Sequence, residues 1–597
     1  MLDTTGERVP VPGPMPESGR GPVWQRARHH VLAAAAKPYW ERHDESWLVR
    51  RWPDLTATAV ATVFFWLSLT PSLVPRPWYL QGVIGGITAA IGYGIGCLLS
   101  WAAPAVVRWR PSPEARARVR ARAWQGYWVL SLPLAVFLLG ESARMQRELR
   151  RLQELPPTLT WHSLMIALLA LALCWTLLVI ARLIRLGTRK LITVLLRYVP
   201  RPVAVVSGLA VSALVVTFGA KDVVLERGII DVASSISANT DQSTKDGVIQ
   251  SDSPYVSGSP QSLIAWDDLG YQGRNFTGSV LSEEQIRSFT GRDAMDPIRV
   301  YVGQAAADSY AAQADLAIAE LERTGAFSRE VLAIAGTTAS GWVDARTAEP
   351  LEYLHDGDTA IVALQYSYLP SWVSFVVDRE KAGRATRELV SAVEERLAQL
   401  PERDRPKLVV FGESLGATAI EDSFTGLDDL LASTDGALLV GPPHHSPIWS
   451  HLTAHRDPGS PVWRPVYDEG EHVRFAQYPQ RDLWRPPGPW EFPRVVYLQN
   501  ASDPIVWWSP DLALQPPAWL EEPLGPDVTD EVNWFPFVTF WQTLVDMAVS
   551  YGVEAPHGHR YGTNAVEGWA AVLPPEGWTP EDTQRLKAFA ESHPSPY

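Results

Sequence analysis

With 597 residues the chain has room for two or three domains, and its formal net charge of −14, with most of the acid after about residue 220, argues against a nucleic-acid partner for the C-terminal half. Its two cysteines, Cys97 and Cys174, both lie in apolar runs, which excludes a disulfide framework and a cysteine-built zinc site. The 26 tryptophans, many of them after residue 440, point to aromatic walls or a membrane-facing surface.

Residues 1–53 are rich in Pro, Gly and Arg and lack a compact apolar run near the start. They read as a basic cytoplasmic tail without a signal peptide, with a short helix expected around 24–36. Five apolar segments follow, at about 54–73, 78–103, 124–140, 160–181 and 202–220. Each is near or above the ~20 residues a helix needs to cross hydrocarbon. The second carries Gly82, Gly85, Gly86, Gly92, Gly94 and Gly96, a composition that lets membrane helices pack closely. Buried helices of a soluble protein are the alternative, but arginine clusters separate the runs. Arg42, Arg50 and Arg51 precede the first; Arg108, Arg110, Arg116, Arg118, Arg120 and Arg122 follow the second; Arg182, Arg185, Arg189, Arg197 and Arg201 follow the fourth. The third connection carries Arg144, Arg147, Arg150 and Arg151, which blunts the contrast. The positive-inside rule then places the tail and the even connections in the cytoplasm. An odd number of spans carries everything after residue 220 to the far side. The expectation is an all-α transmembrane domain over 54–220, multi-pass in the cell membrane, with an extracytoplasmic remainder.

A Ser, Gly, Asp and Gln-rich stretch at 231–262 marks a linker within 221–296. From 297 to 597 short β-branched runs alternate with helical periodicity. Strands are expected at 298–302, 331–335, 359–364, 408–411, 437–440 and 494–498, and helices at 305–323, 384–400, 533–550 and 564–572. Strands interleaved with helices imply a mainly parallel sheet covered on both faces, an α/β domain.

The strand at 408–411 runs into Gly412-Glu413-Ser414-Leu415-Gly416, and an Ala, Thr and Ile-rich segment follows. A serine between strand and helix sits on a strained turn with Oγ clear of the backbone, and small residues two before and two after let the two elements approach. Its hydroxyl needs a base, and the base an orienting acid. In the chain order of this nucleophile elbow the acid is Asp503, a few residues past the strand at 494–498, although Asp-Pro is also a common turn pair. Asp482 and Asp546 are weaker rivals. The base comes from Pro556-His557-Gly558-His559-Arg560-Tyr561-Gly562, where His557 and His559 are equally placed; His593 is set aside in the terminal segment. No third ligand is spaced to complete a metal site with that pair. His444 and His445 could line the pocket or be solvated loop residues. An oxyanion needs backbone donors, one from Leu415 and one from the loop Thr337-Thr338-Ala339-Ser340-Gly341-Trp342, with Thr338, Ala339 and Ser340 as the candidates.

Several segments together resemble an actinobacterial family of membrane-anchored α/β-hydrolase-like proteins, with a multi-span N-terminal domain and a C-terminal hydrolase domain. They are Ser68-Leu-Thr-Pro-Ser-Leu-Val-Pro-Arg-Pro77, Trp266-Asp-Asp-Leu-Gly-Tyr-Gln-Gly-Arg-Asn-Phe276, Pro297-Ile-Arg-Val-Tyr-Val-Gly303, Gln365-Tyr-Ser-Tyr-Leu-Pro-Ser-Trp372, the elbow, and Gly441-Pro-Pro443. The resemblance implies a Ser414 nucleophile and a serine-hydrolase fold, and supplies no substrate. Two positions depart from the family pattern: Ala339 replaces a glycine, and Pro556 stands where a glycine precedes the first histidine, which weakens His557 relative to His559.

The expected activity is that of a membrane-anchored serine hydrolase, esterase-like, lipase-like or an acyltransferase, acting on a lipidic or cell-envelope acyl substrate without a cofactor. Its partners would be the lipid bilayer and a small-molecule or lipid-like acyl substrate, with no nucleic acid. A non-catalytic membrane receptor or scaffold built on a hydrolase fold is the alternative, because fold alone does not establish function.

Overall fold

A computed structural model describes residues 54–106, 112–159, 163–219, 240–369, 374 and 379–593. The expected tail over 1–53 lies outside the described residues. The N-terminal half is helical: α1 (Leu55–Ser68), α2 (Trp78–Val106), α3 (Pro113–Leu152), α4 (Ser163–Leu195) and α5 (Arg201–Phe218). Four of them, α2 to α5, are long and apolar enough to cross a membrane. The first expected span falls short of that. The Asp54 carboxylate caps α1 at Ala57 N–H, and the helix stops after 14 residues because Pro71, Pro75 and Pro77 cannot continue it. Residues 69–77 form a buried loop instead.

The glycines of α2 do what their spacing suggests at five positions. A Cβ on Gly92 or Gly96 would stand 2.8 Å from Phe64 or 2.5 Å from Ala57 of α1, and one on Gly82 or Gly86 would stand 2.9 Å from Leu169 or 2.8 Å from Leu173 of α4. Gly85 fits against Phe65 in the same way, whereas Gly94 faces open space. Outward, Leu130, Val136, Leu171 and Val206 leave large apolar surfaces exposed.

The C-terminal half is built on seven strands: β1 (Ile298–Val302), β2 (Val331–Gly336), β3 (Thr359–Leu364), β4 (Lys407–Glu413), β5 (Gly436–Val440), β6 (Val473–Ala476) and β7 (Arg494–Leu498). Their order is β1-β3-β2-β4-β5-β7-β6 and every pairing is parallel. Both faces are covered by helices, so the strands are buried along almost their whole length and read as unbroken apolar runs. The unexpected strand is β6, four residues at the sheet edge. Its Arg474 hides the strand from a hydropathy reading, yet the guanidinium is buried and donates to the carbonyl of Leu483.

Helices α6 (Tyr310–Thr324), α7 (Ala345–Leu354), α8 (Arg379–Ala398), α9 (Leu415–Glu421), α10 (Val538–Met547) and α11 (Asn564–Val572) are the ones that frame the sheet and the site. The helix expected over 533–550 starts only after Pro536. The described part of the expected linker lies along the sheet edge: Arg299 N–H donates to Tyr255 O (3.2 Å) and Ser257 N–H to Arg299 O (3.0 Å). Register sets Gly336 beside Gly412 and Glu413 beside Val440, so β2, β4 and β5 end together and their following loops share one edge. That carboxyl edge is where parallel sheets carry their sites.

Candidate active site

Ser414 follows β4 with φ 55° and ψ −122°, in the left-handed half of backbone space that an L-residue enters only when its surroundings force it. The forcing contacts are visible. Ser414 N–H donates to Val440 O (2.8 Å), which ties the turn to the end of β5. A Cβ on Gly412 would meet the Gly416 carbonyl carbon at 2.4 Å, and one on Gly416 would meet Gly336 O at 2.1 Å. Strand, turn and α9 therefore touch backbone to backbone, and only glycine fits. Leu415 opens α9, where the first N–H groups have no acceptor within the helix.

The two loop histidines are separated by their partners. His559 Nδ1 lies 2.5 Å from Asp503 Oδ2, with both side chains fully buried. The same carboxylate oxygen accepts from the Tyr561 hydroxyl at 2.6 Å, and Asp503 Oδ1 caps a helical turn at Ile505 N–H (2.9 Å). Asp503 thus serves as both turn cap and partner of the histidine. The imidazole stands between Tyr551 and Tyr561, edge to face with each at 5.0 and 5.7 Å. Its Nε2 is buried without a partner. A Cβ on Gly441 would stand 2.7 Å from His559 Cε1, and the preceding residue, Val440, accepts from Ser414. The imidazole and the serine therefore flank the same end of β5. His557, by contrast, pairs through Nδ1 with Asp527 Oδ2 at 3.0 Å. Nothing in the local sequence marks Asp527, thirty residues away in a proline-rich loop.

Asp482 and Asp546, the rival acids, are engaged elsewhere. Asp482 is bound by Arg464 and Arg481 and by the backbone of Gln477 and Tyr478. Asp546 accepts from Leu73 N–H and faces Arg76. His593 ends the last helix, stacked on Phe589. His444 lies edge to face with His445 and with Trp508 near the same end of β5, at 5.4 and 6.3 Å.

The oxyanion loop departs from the expectation at Thr338. Its backbone N–H is taken by Trp342 O (3.1 Å), which closes the turn through Gly341, so it is not a free backbone donor. Its hydroxyl is buried and without a hydrogen-bond partner. Ala339 is buried in a small apolar cluster with Tyr366 and Ala419, and the Ser340 carbonyl accepts from Gln365. Gly341 has φ +88° and sits against the Tyr301 hydroxyl, so glycine is required there and Ala339 is tolerated.

A second pair of acids adjoins the elbow. Burial first, and the Asp344 carboxyl second, push Glu413 well above the usual carboxylate range, and burial raises Asp344 as well. The Tyr551 hydroxyl donates to Glu413 Oε1 at 3.2 Å. At the far end of α9 burial lifts Glu421 to about 8, against the opposing pull of Trp449 N–H and the Tyr497 hydroxyl, each 2.9 Å away. A carboxyl whose folded value is raised binds a proton that the unfolded chain has lost. Its stabilising contribution is full below the ordinary carboxyl value and drains away as pH rises toward about 8. Glu421→Gln should remove that decline, up to about 1.4 kcal/mol per pH unit for one proton, as read by thermal unfolding across pH 5 to 9.

A fully parallel sheet, a strained serine between strand and helix, and a buried acid–histidine pair at the carboxyl edge define an α/β-hydrolase-type domain. Residues 298–586 match the model of an alpha/beta-hydrolase family, and residues 69–280 match the model of that family's N-terminal region. The chain belongs to this alpha/beta-hydrolase family. No curated protein and no solved structure matches it.

Proposed function

We propose that the protein is a membrane-anchored serine hydrolase or acyltransferase acting on an ester or acyl bond of a lipidic or cell-envelope substrate. The observation that carries this reading is the His559–Asp503 pair at 2.5 Å, its free Nε2 set beside the end of β5 that also holds Ser414. In this mechanism Ser414 Oγ attacks the acyl carbon and His559 Nε2 takes its proton. Asp503 keeps the imidazole in the tautomer that leaves Nε2 free and stabilises the imidazolium that forms. The proton then passes to the leaving alcohol, and water or an acceptor alcohol repeats the sequence in reverse. Leu415 N–H and the Thr338 hydroxyl would receive the oxyanion.

An acyl substrate suits the wall beside Leu415. Leu415, Ile505, Trp508 and Leu512 form an apolar cluster against which Phe540, Leu544 and Met547 of α10 pack. Helix α10 also packs on α1 and α2, so this wall adjoins the helices assigned to the bilayer. Labelling of the full chain in membranes by a fluorophosphonate tests the reading. Labelling that Ser414→Ala abolishes is the expected result; none on the folded protein, or labelling that survives Ser414→Ala, would overturn it.

For orientation, the loop at 69–77 and the C-terminal end of α3 both meet the C-terminal domain, as a path in which α2 to α5 each cross once requires. With the arginine-rich connections in the cytoplasm, the hydrolase domain is extracytoplasmic. In a chain freed of its native cysteines, an impermeant maleimide added to intact cells should label Arg403→Cys and spare Arg197→Cys in the α4–α5 connection; the reverse pattern would place the domain in the cytoplasm.

A further inference from the structure

The loop at 69–77 joins two apolar helices, yet Leu69, Ser72, Leu73, Val74 and Arg76 are buried inside the protein. On one side the C-terminal domain grips it. Leu73 N–H donates to Asp546 Oδ2 (3.2 Å), Arg76 Nε lies 3.4 Å from Asp546 Oδ1, and Gln542 Nε2 donates to Thr70 O (3.0 Å). On the other side α3 holds it. The Ser142 hydroxyl donates to Leu69 O (2.7 Å), Arg76 N–H to Gln146 Oε1 (3.1 Å) and Gln153 Nε2 to Leu73 O (2.7 Å).

The contacts lead on to the histidine. Val74 Cγ1 lies 3.2 Å from where a Cβ of Gly558 would stand, so the loop packs beneath the residue between the two histidines. Gln153 Nε2 also donates to Asp527 O (3.3 Å). Asp527 in turn binds two residues at once, His557 through Nδ1 and Ser502 through its hydroxyl. Ser502 Oγ accepts from Gly558 N–H at 2.8 Å, which joins the acid loop to the histidine loop. Ser502 precedes Asp503, and His557 lies two residues before His559. One buried carboxylate thus braces both halves of the acid–base pair, and Gln153 of the helical domain holds the backbone carbonyl of that same residue.

We propose that Gln153 and the 69–77 loop are positioning elements: they hold Asp503 and His559 in register with Ser414, so the helical domain completes the reaction centre as well as anchoring it. This rests on the serine-hydrolase reading above. His557 and Asp527 carry the support inward and transfer no proton. Truncation to the C-terminal domain would leave the sheet and Ser414 in place but release the base.

The test uses the full chain in lipid nanodiscs with Gln153→Met, which keeps the volume and removes both donated bonds, and with Val74→Ala as an independent variant. Hydrogen exchange reads the position directly. Amides of Gly558, His559 and Arg560 should exchange on the order of tenfold faster while those of β4 are unchanged. Fluorophosphonate labelling of Ser414 should slow on the order of tenfold, with the same half-saturating probe concentration and the same final labelled fraction. Unchanged exchange in the histidine loop of both variants would overturn the proposal. A wild-type chain that is never labelled would sink the hydrolase reading while exchange still decides this one.

Discussion

Asp503→Asn should lower the turnover of a small activated ester by about 10³–10⁴-fold with little change in KM, in a protein that unfolds where the wild type does. The amide can still cap Ile505 N–H through one oxygen, so the turn survives. The group facing His559 Nδ1 can then be an NH₂, which turns the imidazole to the tautomer whose Nε2 carries a hydrogen. Such a ring cannot take the Ser414 proton. Asp527→Asn makes the same chemical change beside His557 and should cost about tenfold, because it loosens a brace and leaves the base intact. Tyr561→Phe removes one donor from Asp503 and should fall between wild type and the Asp527 variant. If Asp527→Asn proves the more damaging substitution, the proton would pass through His557 and the assignment of the base would reverse.

The comparison of these two histidines shows where sequence reading stops. The elbow was legible because its constraint is local: Gly412 and Gly416 flank Ser414 at fixed spacing, and the strand before it is an unbroken apolar run. Chain order alone marks Asp503 as a candidate, and in the sequence only a proline tells the two histidines apart. What distinguishes their surroundings is a set of contacts across long separations, His559 to Asp503 over 56 residues and His557 to Asp527 over 30. No periodicity encodes those. The same holds for the Asp344–Glu413 pair, whose two carboxyls come from the loop after β2 and from the last residue of β4. Thr338 shows a subtler limit. Its hydroxyl and its backbone N–H are different donors, and the turn through Gly341 consumes the latter. The shortened α1 was legible in hindsight from Pro71, Pro75 and Pro77, but a hydropathy window counts the apolar residues between prolines and ignores the missing N–H groups.

The glycines of the elbow give a prediction on stability that does not depend on chemistry. Gly416→Ala places a methyl 2.1 Å from Gly336 O, a backbone atom of the central strand pair that cannot rotate away. Relief requires α9 to lift off β2, which breaks the register of Gly336 with Gly412 and moves Leu415 N–H from the proposed oxyanion position. The expected cost is about 3 kcal/mol or more, on the order of 10 °C in the unfolding midpoint, together with loss of fluorophosphonate labelling. Gly94→Ala in α2 is the control: a Cβ there meets nothing within 4 Å, so its midpoint should match the wild type. The contrast separates two meanings of glycine in this chain. In α2 most of them let helices approach, and in the elbow they let a strained serine exist at all. If Gly416→Ala unfolds where the wild type does and still labels, the backbone contact between α9 and β2 is looser than 2.1 Å implies, and Ser414 is not held by it.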